Sequence, residues 1–355
     1  MRNLLLAFDG TWQSPDRDLT DGDESTNVWR LADALLPESP AGVKQLCWYF
    51  QGVGTRRLNR LRGGVLGQGL DEKIARGYGT LVKNYRRGDR IFLSGFSRGA
   101  YTARSLAGMI ERLGLVRDPR LEPEAYELYR DGTAAQQRLF RLRHSRQIAI
   151  EAIAVWDTVG ALGVPLGIFD SFNFYRYQFH DTELGSNVRH AFQALAIDEH
   201  RERFAPTLWT PKSLRSQQRI EQRWFIGAHS DVGGGCDPCP LSTRSLAWMQ
   251  AKLASLGLAM RPVSASYSLT LRPTDSWRGF LAGIYALGST RHYRPIGFTP
   301  LGGETLASSV SQQLLYSEYS PQNPIGEHLE EYHPALSRLS DFKHLSAQQE
   351  GRILG

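Results

Sequence analysis

The chain has 355 residues, of which 41% are hydrophobic, 22% charged and 10% aromatic. That balance can bury a full core and excludes the charge-rich, aromatic-poor profile of a disordered chain. The 35 glycines and 17 prolines show no triplet period, and the net charge of +6 is spread along the chain, so collagen-like classes and a clustered nucleic-acid-binding stripe are both excluded.

Residues 4–8 are an apolar run stopped by Asp9, too short for the apolar region of a signal peptide and read as a buried strand. No window reaches the 18 or more uninterrupted apolar residues of a membrane-spanning helix. Three cysteines, Cys47, Cys236 and Cys239, are too few for a disulfide framework and fit a reducing compartment. Synthesis and folding in the cytoplasm are therefore expected, with any export by a non-Sec route.

After the cap-like Ser25-Thr26, residues 27–36 read as a helix, and residues 45–50 as a second strand. Residues 69–87 carry Leu70, Ile74, Tyr78, Leu81 and Val82 at near-helical spacing. A third strand at 90–94 leads into a long helix at 98–113. Residues 118–146 are polar, arginine-rich and helical, lying outside the sheet. The pattern continues with a strand at 148–156, a helix at 187–197, a strand at 220–226 and a helix at 241–256. Alternation of this kind implies parallel strands with crossover helices, an α/β fold. From residue 261 onward Gly, Pro, Ser and Tyr dominate and the pattern weakens.

The sharpest chemical signal is Gly95-Phe96-Ser97-Arg98-Gly99, a G-x-S-x-G between strand and helix, which is the context of a nucleophile elbow. Glycines two before and two after the serine let strand and helix pass closely. The alternative is a solvated serine on an ordinary glycine-flanked turn. A serine nucleophile needs a histidine base and an acid to orient it, in the order Ser, Asp or Glu, His for this fold. His229 follows an apolar strand and opens the glycine-rich loop to Gly235; His190 and His200 read as surface or structural. Asp157 ends the strand Ala154-Val155-Trp156, whereas Asp198 beside Glu199 and Arg201 reads as a structural salt bridge.

Phe8-Asp9-Gly10-Thr11-Trp12 resembles a phosphatase D-x-D-G-T loop but has Ala7 where the nucleophilic aspartate would stand. In a hydrolase sheet this loop supplies the second oxyanion N–H, so Gly10 or Thr11 is a candidate donor beside Arg98 N–H. The aromatic run with Phe169, Phe172, Phe174 and Tyr175 reads either as core or as an acyl-binding wall beside the nucleophile. Residues 63–69 are glycine-rich without a phosphate-loop ending, and one C-x-x-C pair without suitably spaced histidines does not make a metal site.

These motifs occur together, in one order, with Tyr49-Phe50-Gln51-Gly52-Val53-Gly54-Thr55, Ala196-Ile197-Asp198-Glu199-His200-Arg201 and Trp224-Phe225-Ile226-Gly227-Ala228-His229. The set resembles the α/β-hydrolase domain shared with type VI secretion phospholipase effectors of the first lipase-effector class, over residues 1 to about 260. The resemblance implies a Ser-Asp-His triad at Ser97, Asp157 and His229, and ester hydrolysis on glycerophospholipids. The expected organisation is an α/β-hydrolase-like domain over 1–260, with 118–146 and 160–186 as insertions or lid and 261–355 as a loop-rich extension packed on it. A serine esterase or lipase of this kind needs no metal and no organic cofactor. Its expected partners are a lipid or other ester substrate, a transient membrane surface and an inhibitor protein, with no nucleic acid. A peptidase or thioesterase with the same triad, or a non-catalytic binding protein, are the rival readings.

Overall fold

The computed structural model describes residues 1–10, 25–52, 64–160, 183–236, 239–265, 268, 270–279, 284–326 and 329. In chain order these form β1 (Asn3–Phe8), α1 (Asn27–Ala34), β2 (Gln45–Phe50), α2 (Gly64–Asn84), β3 (Arg90–Phe96), α3 (Arg98–Leu113) and β4 (Leu115–Val116). Next come α4 (Glu122–Asp131), α5 (Ala134–His144), β5 (Ser145–Arg146), β6 (Ile150–Trp156), β7 (Val188–Ala196) and β8 (Arg219–Phe225). The chain continues through α6 (His229–Gly233), α7 (Ser242–Ser255), α8 (Ser276–Gly279), α9 (Ile284–Leu287), β9 (Glu304–Leu306) and α10 (Ser308–Tyr316).

Seven strands share one sheet in the order β2-β1-β3-β6-β7-β8-β9, and every neighbouring pair is parallel. Parallel sheets are covered on both faces, which is why β1 reads as an unbroken apolar run. Side chains alternate between those faces. Leu5 and Ala7 join Phe92 and Trp156 in one core, with residues of α1 and α7. Leu4, Leu6 and Phe8 join Leu93 and Val155 in the other, with residues of α2, α3, α4 and α5. The helices at 118–146 thus cover α3: Tyr129 Oη donates to the Ser105 carbonyl at 3.1 Å and Arg141 Nη1 to the Glu111 carbonyl at 2.6 Å.

Three sequence expectations are corrected. Residues 188–196, read as a helix, are the strand β7, which pairs with β6 on one side and β8 on the other. Ala, Gln and Leu favour helix in isolation, but two flanking ladders and burial at Ala191, Ala194, Leu195 and Ala196 override that preference. Strand β9 lies in the tail where no pattern was seen; its three residues pair with Gln222, Arg223 and Trp224. Cys236 and Cys239 form a disulfide, their Cα atoms 5.3 Å apart after a tight turn at Gly234 and Gly235.

Strand order reverses direction at β1, since β2 lies on one side and β3 on the other. In open α/β sheets such a switch leaves a crevice outside the carboxyl ends of the strands, where ligands bind. Gly10 follows β1 and Ser97 follows β3 at that place.

Candidate active site

Ser97 joins β3 to α3 with φ 56° and ψ −123°, and Asp157 follows β6 with φ 38°. They are the two non-glycine residues with positive φ among the described residues. Strained backbone of this kind persists only where neighbours hold it. Here the Ser97 amide donates to the Trp156 carbonyl at 3.0 Å and the Asp157 amide to the Ala194 carbonyl at 2.7 Å. A methyl on Gly95 would lie 2.4 Å from the Gly99 carbonyl oxygen, and one on Gly99 only 2.1 Å from that of Phe8. The two glycines flanking the serine are therefore required by the approach of α3 to β1 and β3.

Asp157 and His229 meet. His229 Nδ1 lies 2.6 Å from Asp157 Oδ2, both side chains being buried, at 5% and 0% exposure. A carboxylate only accepts, so Nδ1 carries the hydrogen, and in the neutral ring Nε2 keeps the lone pair. His229 opens the short helix α6, whose start is closed by Asp231 Oδ2 accepting from the Ala228 amide at 2.9 Å. The imidazole packs at a tilt against Phe96, the residue before Ser97, with ring centroids 4.6 Å apart, and edge-to-face against Phe204 at 5.2 Å. Ser97 is 8% exposed. No hydrogen bond joins its hydroxyl to His229 among the described residues, a looseness common before substrate binds.

Burial alone would raise the Asp157 pKa. The guanidinium of Arg294 and the bond from His229 outweigh it, and the carboxyl is held well below the usual carboxylate range. Arg294 Nη1 and Nη2 grip Oδ1 and Oδ2 at 2.8 and 3.0 Å, and the Ala196 amide adds a third donor at 3.1 Å.

Around Gly10 the arrangement differs from expectation. A methyl on Gly10 would lie 3.5 Å from Ser97 Cβ, so this loop does adjoin the serine. Its amide, however, donates to Asp9 Oδ1 at 2.6 Å and is already engaged. Thr11 lies outside the described residues, as do Phe169, Phe172, Phe174 and Tyr175. The Arg98 amide, first in α3, has no acceptor within its own helix.

The remaining candidates take structural roles. His190 sits on β7, not on a helix, with Nδ1 at 3.0 Å from the Glu151 carbonyl. Asp198 makes no salt bridge among the described residues; it accepts from the Gly227 amide and the Tyr319 hydroxyl. Its neighbour Glu199 forms the ion pair instead, with Arg201 at 2.7 Å, and accepts from the His229 amide at 3.3 Å. Arg294 was not foreseen, and no local pattern marks it: its partners stand 90 or more residues away in the chain.

The chain is 28% identical over 271 residues to the uncharacterized protein YEL023C of Saccharomyces cerevisiae, covering 68% of this chain and 37% of that one. Among solved structures, an uncharacterized protein from Pseudomonas aeruginosa is 19% identical, covering 74% of this chain and 46% of its own, with a TM-score of 0.44. The Tle1 effector bound to the VgrG spike of the type 6 secretion system is also 19% identical, covering 67% and 52%, with a TM-score of 0.41. The chain thus spans about half or less of the length of these relatives. Residues 2–252, which run from β1 into α7 and include Ser97, Asp157 and His229, match the family model "T6SS, Phospholipase effector Tle1-like, catalytic domain", and the chain belongs to that family.

Proposed function

We propose that this protein is a serine hydrolase that cleaves carboxylic esters of phospholipids or other lipids. The observation that carries the reading is the 2.6 Å contact of His229 Nδ1 with Asp157, at the carboxyl edge of a sheet whose β3–α3 turn presents a strained Ser97. Family membership supports ester hydrolysis as the reaction class.

In this reading His229 Nε2 takes the Ser97 proton as Oγ attacks the ester carbonyl, giving a tetrahedral oxyanion. The oxyanion accepts from the Arg98 amide and, on the sequence reading, from the Thr11 amide. Collapse expels the alcohol, which takes the proton from His229 and leaves an acyl group on Ser97. Water, deprotonated by the same imidazole, then releases the acid and restores the serine. Asp157 keeps the ring in the reactive tautomer throughout.

None of the described helices is long and apolar enough to cross a membrane. Membership in an effector family supports delivery by a secretion apparatus rather than a Sec leader.

The test is Ser97→Ala. It should abolish covalent labelling by a fluorophosphonate and lower fatty-acid release from mixed phospholipid vesicles by at least about 10³-fold, with circular dichroism unchanged. Retained turnover would refute the assignment, and the lipid products from the wild type would identify the bond cut.

A further inference from the structure

We infer that Arg294 is a positioning residue for the Asp157–His229 pair, and that Thr274, Ser276 and Arg294, beyond the family-matched residues, complete the active site. The inference rests on the hydrolase reading for its consequences, but its geometry stands independently.

These three residues touch each part of the acid and base machinery. The Thr274 amide and hydroxyl donate to the two oxygens of Asp231, the residue that caps α6, both at 2.8 Å. The Ser276 hydroxyl donates to Glu199, which in turn accepts from the His229 amide. Arg294, wholly buried, closes its fork on both oxygens of Asp157 and donates from Nη1 to the Ala196 carbonyl at 2.7 Å. Its Nη2 reaches the Phe204 carbonyl, beneath a ring that packs on His229.

Charge decides what the fork does. Burial alone would push the Asp157 carboxyl toward its neutral form, and the Arg294 guanidinium holds it well below the usual carboxylate range instead. Arg294 therefore keeps Asp157 ionised and in place, and through it fixes the tautomer and orientation of the His229 ring.

The experiment uses the full chain with Arg294→Met and Arg294→Lys, with Arg294→Gln replacing the methionine variant if that fails to fold. One readout is the rate of Ser97 labelling by a fluorophosphonate near neutral pH, and the second is the nitrogen NMR spectrum of the His229 ring, which reports whether Nδ1 carries the hydrogen. Loss of the fork should lower the labelling rate by about tenfold and mix the two ring tautomers. Arg294→Lys keeps the charge but loses the fork, so its rate should fall several-fold. A neutral variant with the wild-type rate and a single Nδ1–H tautomer overturns the inference, as does a lysine variant with the wild-type rate. Failure of the wild type to label at Ser97 would instead refute the hydrolase reading, and the ring tautomer would still decide the role of Arg294.

Discussion

Two buried aspartates stand on either side of the β3–α3 turn, and their surroundings are opposite. Asp157, after β6, faces the Arg294 guanidinium and the His229 ring and is held ionised. Asp9, after β1, is pushed up by burial; bonds from Tyr49, Thr26 and the Gly10 amide, and the nearby charge of Lys73, offset that only in part. Neutral donors satisfy the lone pairs of a carboxylate without repaying the loss of water, whereas a guanidinium fork does both. Asp157 can orient a base; Asp9 joins the end of β1 to β2 and to the start of α1.

The largest test of this contrast exchanges each carboxylate for an amide. Asp157→Asn cannot accept from both Arg294 and His229, so the ring loses its tautomer, and labelling of Ser97 should fall by about 10³–10⁴-fold. Asp9→Asn leaves an oxygen for the Gly10 amide and an NH₂ for the hydroxyls of Thr26 and Tyr49. Its labelling rate should stay within about tenfold of wild type. Equal losses in the two variants would erase the division of roles.

Much of this contrast could be read in the residues beforehand, and what could not has a physical cause. The strand–Gly95-Phe96-Ser97-Arg98-Gly99–helix passage is local chemistry at Gly95, where an added methyl would meet Gly99 and Ala100, whereas Gly99 answers to the Phe8 carbonyl of β1. The apolar runs at β1, β3 and β6 announce parallel strands because both their faces are buried. β7 was hidden: a sequence such as Val188-Arg189-His190-Ala191-Phe192-Gln193-Ala194 has helix-favouring residues, and only its two neighbours in the sheet make it a strand. Arg294 was hidden more deeply. Its meaning comes from Asp157, 137 positions earlier, and an arginine among glycine, proline and tyrosine carries no period to betray it.

Acid and heat should separate the two aspartates by sign. Asp157 has a folded pKa below its unfolded value, so its stabilisation is complete above the usual carboxylate range and is lost as pH falls below it. Asp9 has a folded pKa above its unfolded value, so the native state binds the proton more readily, and its contribution is complete in acid and is lost as pH rises through the raised pKa. In melts from pH 3 to 7, the Tm gap between wild type and Asp157→Asn should therefore widen toward neutral pH. The gap for Asp9→Asn should widen toward acid. Gaps that run parallel across the range would mean the two carboxylates titrate alike.

The smallest expected effect isolates one neutral donor. Tyr49 lies at the end of β2 and donates its hydroxyl to Asp9 Oδ2, beside the Thr26 hydroxyl at 2.7 Å. Tyr49→Phe keeps the ring and removes that bond, so stability near neutral pH should fall by about 1–2 kcal/mol. Because the bond favours the ionised carboxylate, its loss lifts the Asp9 pKa further, and the deficit should shrink as the solution is acidified below the carboxylate range. Labelling of Ser97 should change by less than about twofold, since the fork on Asp157 and the contact with His229 lie across β3 from this bond. A large loss of labelling with unchanged stability would instead mean that the Asp9 loop shapes the transition state directly, and would move Asp9 from the scaffold to the chemistry.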